Sequence, residues 1–238
     1  MSALNVMLKT AHEWGLIPAP TFKIKWLSVD DQRKPVFYDF HEYEALVDGA
    51  KKAGPENHLV VLLGGDAGLR LGEIAGLEWP CVKLDRNVLV IDKKDWHGVV
   101  ELPKSGRTRE VPMTARLAAA LKAHKHLRGL RVLYGESDEG KKTVTERIMR
   151  NWIMSAEKRA GMYETGRVHI LRHTFCSHLA MRGATMKAVQ ELAGHADLAT
   201  TMRYMHLTPS HREDAIRMLD AGRAKAASAL GEMLEKRA

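Results

Sequence analysis

Apolar residues recur at helical spacing over most of this chain. Leu4, Met7, Leu8, Ala11 and Trp14 mark an amphipathic helix within residues 1–18, which Gly15 and the Pro18-Ala19-Pro20 segment stop. The next stretch is mixed and extended, with Pro35 breaking any period. Asp39-Phe40-His41-Glu42 has the spacing of a capping box and opens a helix that runs to Ala53. Residues 58–66 are mostly apolar and predict a buried helix. Arg70 comes next, and a short helix over Gly72–Leu77 succeeds it.

The period then changes. Cys81–Leu84, Val88–Ile91, Gly98–Leu102 and Arg109–Met113 read as strands. Asp85-Arg86-Asn87 turns the first pair, and Lys104-Ser105-Gly106-Arg107 turns the second. Beyond these, helical spacing predicts helices over 114–126, 144–160, 170–182, 186–193, 198–205 and 211–235. The fold class is mainly α with one small antiparallel β-sheet. The chain divides into a helical stub (1–20), a linker (21–38), a main domain (39–210) and a C-terminal helix (211–238).

Composition narrows the class of partner. The 238 residues suffice for a real core, and 45% hydrophobic with 28% charged residues is ordinary for a globular protein. No apolar run reaches the length of a membrane span, and the N-terminus lacks a signal-peptide pattern. Cys81 and Cys176 lie far apart without CxxC spacing, so they read as buried small hydrophobes of a reduced, cytoplasmic protein. The net charge of +8 favours a polyanion, and nucleic acid is the commonest one. That signal gains weight only where the basic residues converge.

Several residues could make them converge. His169 and Arg172 share a helix face at i, i+3, and a guanidinium reads phosphate through two donors. On this spacing alone a solvated His–Arg pair is the plainer reading. The apolar flanks Val168, Ile170, Leu171 and Phe175 argue instead for burial, and a buried arginine with no carboxylate nearby in sequence needs an anion. Arg70 stands between Leu69 and Leu71, with Glu73 three positions on. A surface ion pair and a second phosphate ligand steadied by Glu73 both fit. Lys104, at the mouth of a turn, is a solvated lysine or a general acid for a leaving oxygen. Arg107 and Arg109 face DNA backbone or only water. His195 comes directly after Gly194, and Tyr204 lies nine positions later; a tyrosine there is a packing residue or a nucleophile. His173, His178 and His206 read as structural. The histidine spacings form neither HExxH nor a Cys/His ligand set, so no metal is expected.

Taken together, these segments resemble the tyrosine recombinase (phage integrase) family. Gly68-Leu69-Arg70-Leu71-Gly72-Glu73-Ile74 resembles its first signature box. The run from His169 to His206, with Arg172, Gly194-His195 and Tyr204, resembles its second, and Lys104 falls where its hairpin lysine stands. The resemblance covers residues 39–210. It implies a catalytic domain of the DNA breaking-rejoining type. In that scheme the Tyr204 hydroxyl attacks a phosphodiester, leaving a 3′-phosphotyrosyl link and a free 5′-hydroxyl. Arg70 and Arg172 hold the phosphate oxygens, His169 helps move the tyrosine proton, and His195 hydrogen-bonds the phosphate. Lys104 protonates the leaving 5′-oxygen, and Glu73 supports the arginine segment. No cofactor, neither ATP nor metal, is implied. The implied partner is double-stranded DNA, met by a homotetramer, and the C-terminal helix packs on a neighbouring protomer or back in cis. Residues 1–20 resemble only the end of the family's N-terminal core-binding domain.

Other functions compete with a site-specific recombinase. A type IB topoisomerase uses a similar residue set and would relax DNA without a defined site. A DNA-binding protein of the same fold without turnover, and a metal-dependent nuclease, are the remaining alternatives.

Overall fold

The computed structural model describes residues 3–19, 36–96, 99–101, 108–126, 129–137 and 140–207. The chain forms two units, Met1–Lys34 and Pro35–Ala238. In the first, helix α1 (Ala3–Glu13) is shorter than its apolar pattern predicts. It closes through the amides of Gly15 and Leu16, which donate to the carbonyls of His12 and Ala11 at 2.9 Å each. Most of the expected linker lies outside the described residues.

The second unit opens with α2 (Phe40–Ala53), whose capping box forms as expected. The Glu42 amide donates to Asp39 Oδ1 at 2.7 Å, and the Asp39 amide donates back to Glu42 Oε2 at 2.8 Å. Helix α3 (Pro55–Gly65) is apolar on every side and buried on every side, with Leu59, Val60, Val61, Leu62 and Leu63 each at most 1% exposed. Short helix α4 (Leu71–Gly76) comes next, then strands β1 (Val82–Lys83), β2 (Val88–Ile91), β3 (Lys94–Trp96), β4 (Val99–Glu101) and β5 (Arg109–Pro112). Helix α5 (Ala115–His124), strands β6 (Gly135–Ser137) and β7 (Gly140–Lys142), and helices α6 (Glu146–Arg159), α7 (Val168–Met181), α8 (Met186–Ala193) and α9 (Leu198–Met205) complete the described elements. Helices α2, α5, α6 and α7 all pack on α3. The predicted class, mainly helical with small antiparallel sheet structure, is the observed one.

Strand pairing differs from the expectation in one respect. The first hairpin joins β1 to β2 as predicted, with Asn87 at φ +56 in the turn. The second predicted pair does not form. Strand β5 pairs with β2 instead, Leu89 opposite Val111, and β4 pairs with β3, Asp95 opposite Val100. The buried faces explain the first pairing, since Leu89, Ile91 and Val111 all point inward. Strand β3 is hidden in the sequence because Lys93-Lys94-Asp95 reads as polar. Asp95 is nevertheless buried, in an ion pair with Arg131, which also donates to the Ala75 carbonyl at 2.9 Å. The β6–β7 ribbon is likewise hidden by its Gly-, Ser- and Lys-rich sequence, so the described residues hold one three-stranded sheet and two ribbons. The predicted turn at 104–107 and the helix over 211–235 lie outside the described residues.

Helix α7 is the spine of the candidate site, and three contacts fix it. The Tyr38 amide donates to Thr174 Oγ1 at 3.0 Å, and His178 Nε2 lies 3.0 Å from the Tyr38 carbonyl. The buried Glu157 carboxylate accepts from the Tyr38 hydroxyl at 2.7 Å, the Thr165 amide at 2.7 Å and the Gly166 amide at 2.9 Å, which sets the chain just before the helix. Gly68 turns the α3–α4 connection in a left-handed conformation, φ +65, beneath the Phe175 ring. A Cβ there would be strained and would collide with that ring. Gly68→Ala should therefore lower the unfolding free energy by about 2 kcal/mol or more, from the left-handed backbone and the overpacked ring together. Urea denaturation measures this, and an unchanged midpoint would mean the turn relaxes freely.

Candidate active site

Four segments meet at one end of α7. The first carries Arg70, which occupies the N-cap position of α4. Its amide and its Nη1 both donate to Glu73, each at 2.9 Å, and its Nη2 donates to the Gly194 carbonyl at 2.6 Å. Glu73 is 2% exposed. Burial alone would raise its pKa; hydrogen bonds and charge from Arg109, then from Arg70, overcome this and hold it at about 2. Glu73 thus binds both the backbone and the side chain of Arg70.

Arg109 does not point where the sequence predicts. The expectation is DNA backbone or water, but its side chain is only 10% exposed and turns inward. Its two terminal nitrogens donate to Glu73 at 2.9 and 2.8 Å, and its Nε donates to the Leu192 carbonyl at 3.1 Å. The physical reason is Glu73 itself, because a buried carboxylate needs its lone pairs filled by cationic donors and Arg70 alone cannot fill them.

The second segment is the first turns of α7. Arg172 is 6% exposed, and its Nη1 donates to the Gly68 carbonyl at 2.5 Å. Its Nη2 is buried with no hydrogen-bond partner among the described residues. Desolvation, followed by repulsion from Arg70, lowers its pKa to about 10. No carboxylate pairs with it directly among the described residues, so an orphaned guanidinium donor faces an enclosure that already holds Arg70. Such a donor costs free energy until an anion satisfies it. His169 is exposed on the same face, and partial desolvation and the Arg172 charge lower its pKa.

The third segment is the turn after α8, which Gly194 ends in a left-handed conformation. His195 is buried there, with Nδ1 2.9 Å from Thr201 Oγ1. Burial and the nearby guanidiniums of Arg172 and Arg70 press its pKa down to about 3, so its ring is neutral at pH 7. A cleft of about 410 Å³ opens beside it, lined in part by Thr108, Lys187 and Gln190.

The fourth is α9. Tyr204 is 3% exposed, and its ring stacks over that of His195, 4° from parallel with centroids 6.2 Å apart. Burial is the main reason its pKa is raised. Its hydroxyl lies 2.5 Å from Nδ1 of His173. His173, a structural residue on the sequence reading, instead touches the candidate nucleophile. The signal is present in its spacing, four residues after His169 and so on the same helix face. His178, by contrast, does serve structure, through Tyr38. Lys104 and Arg107 lie outside the described residues. No group of three or more His, Cys, Asp or Glu side chains among the described residues is placed to hold a metal ion.

The sequence profile of the phage integrase family matches residues 37–211. The chain belongs to the phage integrase family. Several members are similar in sequence. A tyrosine recombinase XerC of Azotobacter vinelandii is 32% identical over 76% of this chain and 59% of its own length. A tyrosine recombinase of Thermosipho africanus is 31% identical over 64% of this chain and 50% of its own length. The chain spans about half the length of the relatives it matches. Among solved structures, the integrase fold recurs in the Tn1549 transposon integrase bound to a circular intermediate DNA, at a TM-score of 0.67, with 20% identity over 92% of this chain and 76% of that one. It recurs also in XerA recombinase, at a TM-score of 0.61, with 24% identity over 78% of this chain and 65% of that one.

Glu73 generates a pH prediction. Its folded-state pKa is depressed from an ordinary 4.5 to about 2, so its stabilisation is complete above the ordinary value and fades as pH falls toward 2. Glu73→Gln should destabilise the fold by about 3 kcal/mol at pH 7, because two guanidiniums lose their buried counter-charge. The gap from wild type should narrow as pH falls from the ordinary 4.5 to about 2, which urea titrations at stepped pH would track. A gap that does not vary with pH would show that the carboxylate charge is not what stabilises.

Proposed function

We propose that this chain is the catalytic part of a site-specific DNA recombinase that cuts and rejoins duplex DNA through a 3′-phosphotyrosyl link on Tyr204, without metal or ATP. The observation that carries this reading is Arg172, a buried guanidinium with a free donor and no direct carboxylate partner among the described residues, in the same enclosure as Arg70, His195 and a tyrosine hydroxyl. A phosphodiester supplies the missing anion.

The residues would act in concert. Arg70 and Arg172 hold the non-bridging oxygens and stabilise the charge that grows in the pentacoordinate transition state. Neutral His195 donates a hydrogen bond to the same group. The Tyr204 oxygen attacks phosphorus and its proton passes toward His169. The bond to the 5′-oxygen breaks, and Lys104 protonates that oxygen as it leaves. The 5′-hydroxyl of a second strand then reverses these steps, so one phosphate ester is exchanged for another and no external energy source enters. Duplex DNA is the partner, in keeping with the net charge of +8 and with the DNA complex of the Tn1549 relative. A homotetramer would bring two duplexes together.

The test uses a nicked duplex carrying the ends of the element that encodes the protein, mixed with wild type or Tyr204→Phe in EDTA and run on a denaturing gel. A protein–DNA adduct with wild type alone is expected. An adduct that persists in Tyr204→Phe would remove Tyr204 as nucleophile, and relaxation of plasmids lacking any such site would favour the topoisomerase. The arginines divide in a second measurement. Arg172→Ala should slow adduct formation by about 100-fold or more while the duplex still binds. Arg109→Ala should leave the salt dependence of binding close to that of wild type, short of the change of about 0.9 in slope that one lost phosphate contact produces.

A further inference from the structure

We propose that His173 is the residue that withholds the Tyr204 hydroxyl until DNA occupies the site, a positioning role exerted through the hydrogen bond to its Nδ1. This rests on the reading of Tyr204 as nucleophile.

Three observations carry it. The first is geometry. The Tyr204 hydroxyl lies 2.5 Å from Nδ1 of His173, within hydrogen-bonding distance, and the two rings lie 5.9 Å apart and 39° from parallel. For the hydroxyl to donate, Nδ1 must be the unprotonated nitrogen, with the proton on Nε2. The second is enclosure. Tyr204 is 3% exposed and belongs to a small apolar cluster with Phe175, Cys176, Ala180, Val189 and Ala193. A hydroxyl so enclosed is shielded from solvent, so the contact with His173 is not one that water readily replaces. The third is charge. His173 faces His169 and Arg172 on its own helix and Arg203 on α9, and desolvation together with these neighbours lowers its pKa to about 4. The tyrosine pKa is raised, chiefly by burial. The proton therefore stays on the tyrosine oxygen. In this arrangement His173 keeps the phenol neutral and tied down and does not activate it.

The same geometry indicates what releases the latch. The hydroxyl's hydrogen-bond partner here, His173, sits on α7 one residue beyond Arg172. A phosphate that engages the free Nη2 of Arg172 supplies a competing acceptor next to this pair. The hydroxyl then exchanges one acceptor for another and leaves no buried donor unmet.

The experiment measures hydroxyl access directly in the full chain. Proteins would be treated with N-acetylimidazole, which acetylates reachable tyrosine hydroxyls, and Tyr204 acetylation monitored by peptide mass spectrometry. Wild-type Tyr204 should react slowly. His173→Phe, which keeps the ring volume and removes the acceptor, should raise the rate about fivefold, the population shift expected for one lost hydrogen bond. His173→Asn, whose Oδ1 stands near the Nδ1 position, should restore the slow rate. Unchanged acetylation in His173→Phe would overturn the proposal, as would equally fast acetylation in both variants. Should His173→Phe fail to fold, the unmutated chain still decides. Its His173 Nδ1 nitrogen-15 resonance should be that of a hydrogen-bonded acceptor and should move in Tyr204→Phe; a resonance indifferent to that change would refute the latch. Adduct formation on the nicked duplex separates the two readings. If no protein forms an adduct while the acetylation pattern holds, the recombinase reading fails and the latch that rests on it falls too; a wild-type adduct with unchanged acetylation in His173→Phe overturns the latch alone. If both variants expose Tyr204 and lose the adduct, His173 serves the chemistry and not the withholding.

Discussion

One buried carboxylate organises this site. Glu73 carries a full charge at 2% exposure, and it can do so only because two guanidiniums close on it. Those guanidiniums are committed in turn. Arg70 holds the carbonyl of Gly194 and Arg109 that of Leu192, so the end of α8, and with it His195, is placed from the far side of the chain. Three arginines set against one carboxylate leave the enclosure strongly positive. Burial first, and then neighbouring cations with Arg172 common to all three, lower the basicity of His169, His173 and His195. The imidazoles therefore work as neutral groups, able to give or take a single hydrogen bond but not to serve as standing cations.

The contrast between Arg109 and Arg172 shows how burial decides what a charged side chain does. Both are largely withdrawn from water. Arg109 commits all three of its nitrogens to partners within the protein, whereas Arg172 commits only Nη1 among the described residues. Nothing in the two residue types distinguishes them. Only the neighbours do: a carboxylate for one, a lone carbonyl for the other.

Much of the fold could be read from the pattern of apolar positions, because the helices that carry the site obey it. The capping box at Asp39, the all-apolar α3 and the helices from α5 to α9 fall within a few residues of their expected bounds. Strand partners could not be read so well. Strand β3 is polar in sequence and is stabilised by the ion pair of Asp95 with Arg131, a contact between residues far apart in the chain. The site residues on helices were legible through their spacing. The inward turn of Arg109 was not, and for His173 the spacing from His169 shows a shared helix face but not the contact with Tyr204, since each depends on a partner brought in by tertiary packing.

The Gly68 carbonyl, finally, ties Arg172 to a point only two residues from Arg70 along the backbone. The separation between the two arginines is thus written in a tripeptide and a single hydrogen bond. The turn that carries Gly68 therefore sets where both guanidiniums sit.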